Sequence, residues 1–212
     1  GGIIAMKIIA AIIAFIAMAY LGSKYKISEK KKSLPKNQIT LLKGGATICA
    51  ALLALFAAFT GGGAYAYTIA IGLFICAIAD MVLETHFIPG MGVFALGHVA
   101  YIVAFFQKGG LNLYSIIIYA LMVVATYFVA KSLKEKTKEN IAPYVGYAHI
   151  ILLMLAISIF VNPFALVGAL LFAISDSMIA YRLFFGPAKF NDYLCITLYY
   201  LGQYLLALSA IA

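Results

Sequence analysis

The chain has 212 residues, of which 66% are hydrophobic and 10% charged, with a formal net charge of +8 and a mean hydropathy of +1.07. A soluble domain is roughly half apolar and a quarter charged, so this excess cannot all be core and lipid must solvate much of the surface. A single soluble domain, a disordered chain and a disulfide-stapled secreted module are excluded, and Cys49, Cys76 and Cys195, each alone in an apolar run, read as packing residues.

Continuous apolar runs between polar or Gly/Pro breaks predict eight spans, at residues 3–21, 39–59, 65–83, 92–107, 113–130, 144–161, 164–185 and 193–211. At about 20 residues per crossing, eight helices use ~160 residues and leave only short loops. The runs are uniformly apolar, whereas barrel strands would alternate. Gly61-Gly62-Gly63 predicts one tight turn, Asn162-Pro163 another, and Gly186-Pro187 the end of the seventh helix. With eight spans, the odd-numbered loops share a face, and they hold Lys24, Lys26, Lys30, Lys31, Lys32, Lys36, Lys131, Lys134, Lys136, Lys138 and Lys189. Lys43 and Arg182 lie near the same helix ends, and only Lys7 and Lys108 fall opposite. The positive-inside rule then makes the basic loops cytoplasmic and puts both termini outside. The strong positive charge follows the first apolar stretch, which argues against a cleaved signal peptide over 6–19. The expected architecture is an all-α polytopic membrane protein, with residues 1–212 as a single integral membrane domain. Topology and anionic headgroups account for the basic loops, so no nucleic-acid partner is needed.

Three carboxylates do not fit this scheme. Glu29, Glu135 and Glu139 belong to basic loops and Asp192 opens the eighth helix as an N-cap, which leaves Asp80, Glu84 and Asp176 in or beside spans. At a rise of ~1.5 Å per residue, Asp80 and Glu84 fall at the cytoplasmic end of helix three and Asp176 past the midplane on helix seven. Lys43 lies about a turn into helix two, His98 in the same half, and Tyr101, Tyr199, Tyr200 and Gln203 at similar depth. Ionisable groups from several helices therefore meet in one half of the bilayer. Paired carboxylates in a low-dielectric pocket divide between a protonated and an ionised form, which serves general acid/base hydrolysis. Neither a Gly-x-Ser-x-Gly elbow nor a His-Glu-x-x-His run occurs. An Asp/Glu/His set can also hold a metal, and intramembrane acids can relay protons. A metal-dependent lipid amidase or esterase and a proton- or cation-coupled transporter are the competing readings.

The stretches IADMVLE, FALGHVAYIVAFF, VGALLFAISDSMIAYRLF and LYYLGQYLLALS, in this order, resemble the YhhN family of eight-helix membrane proteins, whose animal members are lysoplasmalogenases. The Ser175-Asp176 pair and the Tyr199-Tyr200-x-x-Gln203 run carry the likeness as a set, while the family's usual neighbours of Asp80 and Lys43 are replaced by Ala79 and Gly44. The resemblance implies hydrolysis of the vinyl ether of a lysophospholipid to a fatty aldehyde and a glycerophospho-base, without cofactor or metal. It implies catalytic roles for Asp80 and Asp176, in an order the sequence leaves open. Lys43 and Arg182 would hold the phosphate, and Glu84, His98, Tyr101, Tyr199, Tyr200 and Gln203 would bind or orient substrate and water. Fourteen lysines to one arginine point to a low-GC bacterial source and its cytoplasmic membrane.

Overall fold

The computed structural model describes residues 1–188 and 192–212, and the lysine expected in the seventh loop, Lys189, lies outside them. All regular structure among the described residues is helical: α1 (Gly2–Lys31), α2 (Lys36–Ala57), α3 (Gly63–Leu83), α4 (Phe87–Gln107), α5 (Leu113–Lys136), α6 (Ala142–Ser158), α7 (Pro163–Phe185) and α8 (Asp192–Ser209). A π-helical turn over Ala58–Gly62 joins α2 to α3 without a break in helix, so seven uninterrupted helical stretches are counted where eight separate spans were expected. Among the described residues five stretches are long and apolar enough to cross a bilayer, among them the 48 residues of Lys36–Leu83, and α6 is apolar but shorter. The protein is an all-α integral membrane protein.

The joined stretch folds back on itself. Gly61 at φ 101° and Gly63 at φ 62° take backbone conformations that a side chain would strain, and they reverse the chain where a triple glycine was read as a turn. Thr47 then meets Asp80, and Lys43, one turn further from the bend on α2, meets Glu84, which caps the C-terminus of α3 one turn beyond Asp80. Small residues let the helices close up: Ala46, Ala50, Ala54 and Ala57 of α2 and Ala66, Ala70 and Ala77 of α3 are all fully or almost fully buried. The same device joins α3 to α4, where a Cβ on Gly97 would fall 2.6 Å from Cys76 Sγ, and α7 to α8, where one on Gly168 would fall 2.9 Å from the Gly202 carbonyl oxygen.

Around this hairpin α1 packs on α2, α4 on α3, and α8 on α7, α2 and α1, while α6 leans on α4 and α7. α5 sits outermost against α6 and buries only Ser115, the reciprocal partner of the Asn112 cap. The outward isoleucines of α1 and apolar side chains of α5 are exposed, as a lipid-facing surface requires.

Two expectations about boundaries need correction. α1 is 30 residues long and carries Lys24, Lys26, Lys30 and Lys31, and α5 runs to Lys136, so much of the expected loop charge sits on helix ends. At ~1.5 Å per residue α1 spans about 45 Å against a core of about 30 Å, so the extra turns stand beyond the hydrocarbon, where lysine is a good helix former. The fourth helix starts at Phe87, five residues early, because Pro89 falls in a first turn that has no intrahelical N–H bond to lose.

Candidate active site

A cavity of about 720 Å³ opens among the helices at the end of the hairpin away from the π turn. Its mouth is charged. Lys43 Nζ donates to Glu84 Oε1 at 2.9 Å and Tyr25 donates to the same oxygen at 2.6 Å. Lys26 pairs with Glu29 at 2.7 Å, and Arg182 pairs with Asp192, which also lies 3.6 Å from Lys30. Burial alone would raise the Glu84 carboxyl, but the Lys43 charge, the bonds from Tyr25 and Lys43, and the Lys26 charge outweigh it and hold Glu84 below its ordinary value. Each cation at the rim thus stands beside an anion.

One to two turns deeper lie the two other carboxylates. Asp80, buried on α3, accepts at Oδ2 from Thr47 (2.5 Å) and Tyr199 (2.7 Å), while its Oδ1 is buried without a protein partner. Asp176, half-buried on α7, accepts at Oδ2 from Tyr147 at 2.8 Å. Next to it Ser175 turns away and donates to the Cys195 carbonyl oxygen at 3.1 Å, tying α7 to α8. Met122, Val129 and Leu133 of α5, Ile151 and Leu152 of α6, and Phe94 of α4 make the remaining wall apolar. The volume falls within the roughly 300–1,000 Å³ of small-molecule sites, and the sequence of surfaces, charged rim, two carboxylates, apolar wall, matches an amphiphile.

The residues singled out from sequence divide in two. Asp80, Asp176, Lys43, Glu84, Arg182 and Tyr199 line the cavity. Tyr101, Gln203, His98 and Tyr200 are buried behind its wall. Tyr101 donates to Gln203 Oε1 at 2.8 Å, and Gln203 Nε2 donates to the Tyr199 hydroxyl oxygen at 3.2 Å. Tyr200 donates to the Lys43 carbonyl oxygen at 3.0 Å, and His98 donates from Nδ1 to the Phe94 carbonyl at 2.6 Å while its ring packs on Phe172. Sequence reasoning passed over Tyr25, Thr47 and Tyr147, the hydroxyls that hold the three acids. Thr47 carried a signal, standing one helical turn from Lys43 as Asp80 does from Glu84, whereas nothing in the sequence marks Tyr147 or Tyr25. Asp192, expected as the N-cap of the eighth helix, is instead the first residue within α8 and pairs across the mouth with Arg182. Among the described residues no three His, Cys, Asp or Glu side chains come together as a metal-ligand group.

Comparison with known proteins adds two findings. The YhhN family profile matches residues 38–210, which takes in every helix but the first. Human lysoplasmalogenase TMEM86B is 29% identical over 143 residues, covering 66% of this chain and 62% of that protein, so the chain spans less than two thirds of this relative's length. No solved structure matches.

Proposed function

The chain belongs to the YhhN family, and from that membership we propose that it hydrolyses the vinyl ether of a lysoplasmalogen, or of a closely related lysolipid, to a fatty aldehyde and a glycerophospho-base. The observation that carries the reading is the placement of two tyrosine-held carboxylates, Asp80 and Asp176, inside one cavity with a charged mouth and an apolar wall. A lysolipid standing in such a cavity presents its phosphate to Lys43 and Arg182, its vinyl ether to the carboxylates and its chain to α5 and α6. Both cations already have carboxylate partners, so phosphate binding loosens the Lys43–Glu84 and Arg182–Asp192 pairs.

The reaction requires a proton on the vinyl carbon remote from oxygen, stabilisation of the oxocarbenium ion that results, and attack by water. Asp80 serves as the acid. Its Oδ2 is occupied by two hydroxyl protons, so the proton it transfers sits on Oδ1. Asp176 lines the cavity, is held at Oδ2 by Tyr147, stabilises the cation and takes a proton from the attacking water. The hemiacetal then collapses: its hydroxyl gives its proton to the now ionised Asp80, the bond from its carbon to the glycerol oxygen breaks, Asp176 returns its proton to that oxygen, and the aldehyde leaves with both carboxyls reset. One water is consumed and no redox change occurs. In the membrane the helices make eight crossings, with both termini outside and the basic mouth at the cytoplasmic surface. That orientation follows from the lysines at the mouth ends of α1 and α5, and residues 1–212 act as one domain.

The test is aldehyde release from lysoplasmalogen in detergent micelles by purified protein. Asp80→Asn and Asp176→Asn should each lose roughly a hundredfold or more, the scale of a general acid or base. Acyl-ester and saturated-ether lysolipids should release no aldehyde. Native rates from both variants, inserted and folded, would overturn the reading.

A further inference from the structure

Three hydrogen bonds behind Asp80 form a chain that runs one way, beside a longer Thr47–Tyr199 contact of 3.4 Å in which either hydroxyl can donate. Tyr101 donates to Gln203 Oε1, Gln203 Nε2 donates to the Tyr199 oxygen, and Tyr199 donates to Asp80 Oδ2, at 2.8, 3.2 and 2.7 Å. Gln203 and Tyr101 are fully buried and do not line the cavity, so neither meets substrate. Their order nevertheless bears on the acid. A phenol has one proton to donate. With its oxygen accepting from the Gln203 amide, Tyr199 gives that proton to Asp80 at 2.7 Å in preference to Thr47 Oγ1, which lies 3.4 Å away and itself donates to Asp80. Turned over, the amide would present oxygen to Tyr199 and NH2 to Tyr101. The Tyr199 proton would then go to Gln203, Asp80 Oδ2 would keep Thr47 alone, and the Tyr101 proton would be left with Cys76 Sγ, a weak acceptor 3.6 Å away. The observed orientation satisfies every atom of the chain, and Tyr101 is the group that selects it.

We propose that Gln203 is a positioning residue for the catalytic carboxyl: its amide commits the Tyr199 proton to Asp80 Oδ2 and so confines the transferable proton to Oδ1. Tyr101 acts one step further back, by fixing the amide. Without this commitment Oδ2 keeps the Thr47 bond alone, the carboxyl is held less firmly, and preorganisation of the acid is weakened. The inference rests on the assignment of Asp80 given above.

Aldehyde release by purified Gln203→Met, Tyr199→Phe and the double variant tests it. Methionine keeps the bulk and removes both hydrogen bonds. With the amide gone from its oxygen, the Tyr199 hydroxyl can turn toward Thr47 Oγ1, 3.4 Å away, and the weakened bond to the acid is expected to lower kcat by roughly fivefold to tenfold with KM unchanged. Because Gln203 acts only through Tyr199, the double variant should be no slower than Tyr199→Phe. Losses that multiply, or a native kcat for Gln203→Met beside a slowed Tyr199→Phe, would overturn the proposal. Should Gln203→Met fail to fold, Tyr101→Phe removes one hydroxyl and keeps the ring. It should slow wild type at unchanged KM and add nothing to Tyr199→Phe, and a further loss there would also be fatal. The underlying assignment fails separately: a fully active Asp80→Asn removes the acid itself, whereas an inactive Asp80→Asn with an independent Gln203 removes this proposal alone.

Discussion

Replacing Lys43 by methionine separates two uses of the same ammonium. Lys43 Nζ and Glu84 Oε1 are 2.9 Å apart with side-chain exposures of 10% and 17%. At an effective dielectric of 20 their gross attraction is about 6 kcal/mol. Most of that offsets desolvation, and removing one partner of a fully buried pair costs about 3–5 kcal/mol. Because this pair borders an open cavity, the lower figure applies, and Lys43→Met should cost about 3 kcal/mol. For a chain of this length that is roughly 6–12 °C in Tm. Glu84→Gln keeps an oxygen to accept from Lys43 and Tyr25 and loses only charge, so about 1–2 kcal/mol is expected. The assay is thermal unfolding in detergent of both single variants and the double one. In the double variant no charge is left unpaired, so it should be more stable than Lys43→Met alone. Strict additivity, or a Tm for Lys43→Met within about 1 °C of wild type, would show that the pair does not couple α2 to α3 and would refute the reasoning. A raised KM for lysolipid in Lys43→Met would mark the second use of the ammonium.

Tyr147→Phe removes the hydroxyl on Asp176 at nearly constant shape and should lower kcat roughly tenfold, by the worth of one charge-assisted hydrogen bond, in the aldehyde assay. Gly72→Ala would set a Cβ 2.5 Å from the Tyr101 ring and 3.1 Å from the Gly97 carbonyl oxygen. Overpacking of that kind costs about 1–3 kcal/mol in the unfolding assay, and it should lower kcat as well, because Tyr101 is pushed off Gln203. Glu84, held below its ordinary value when folded, adds stability that is fully present above the unfolded glutamate value of about 4.3 and is lost as pH falls through and below it. Melting curves on wild type should therefore drop across that acid window, and the drop should shrink in Glu84→Gln.

Hydropathy and glycine placement were enough to reveal an all-helical apolar chain and the turn at the triple glycine, because burial in lipid leaves long uniform runs. The continuation of α1 past residue 21 was hidden for a physical reason. Once outside the hydrocarbon, a helix has no apolar constraint, and Lys24, Lys26 and Lys30 read as loop although they propagate helix well. The acids Asp80, Glu84 and Asp176 stood out against their surroundings. Their hydroxyl partners did not, since Thr47, Tyr25 and Tyr147 are ordinary residues for a membrane helix and gain meaning only from the residue opposite. For the same reason depth alone could not separate Tyr199, which reaches the cavity, from Gln203 one turn along, which does not: the two share a helix and a height and differ in who stands between them and the opening.

The π turn has a consequence for how this sequence can change over time. Thr47 lies about ten residues, or ~15 Å, from the bend, yet the bend sets which α3 side chain stands opposite it. Deleting or adding one residue there would rotate α3 by about 100° relative to α2 and would carry Asp80 away from Thr47 and Glu84 away from Lys43 in one step. The short bend of Ala58, Phe59, Thr60 and three glycines, with no catalytic chemistry of its own, is therefore among the places least tolerant of a change in length, and its glycines are as hard to replace, since Gly61 and Gly63 have positive φ and a Cβ on Gly62 would fall 2.7 Å from the Ala57 carbonyl oxygen.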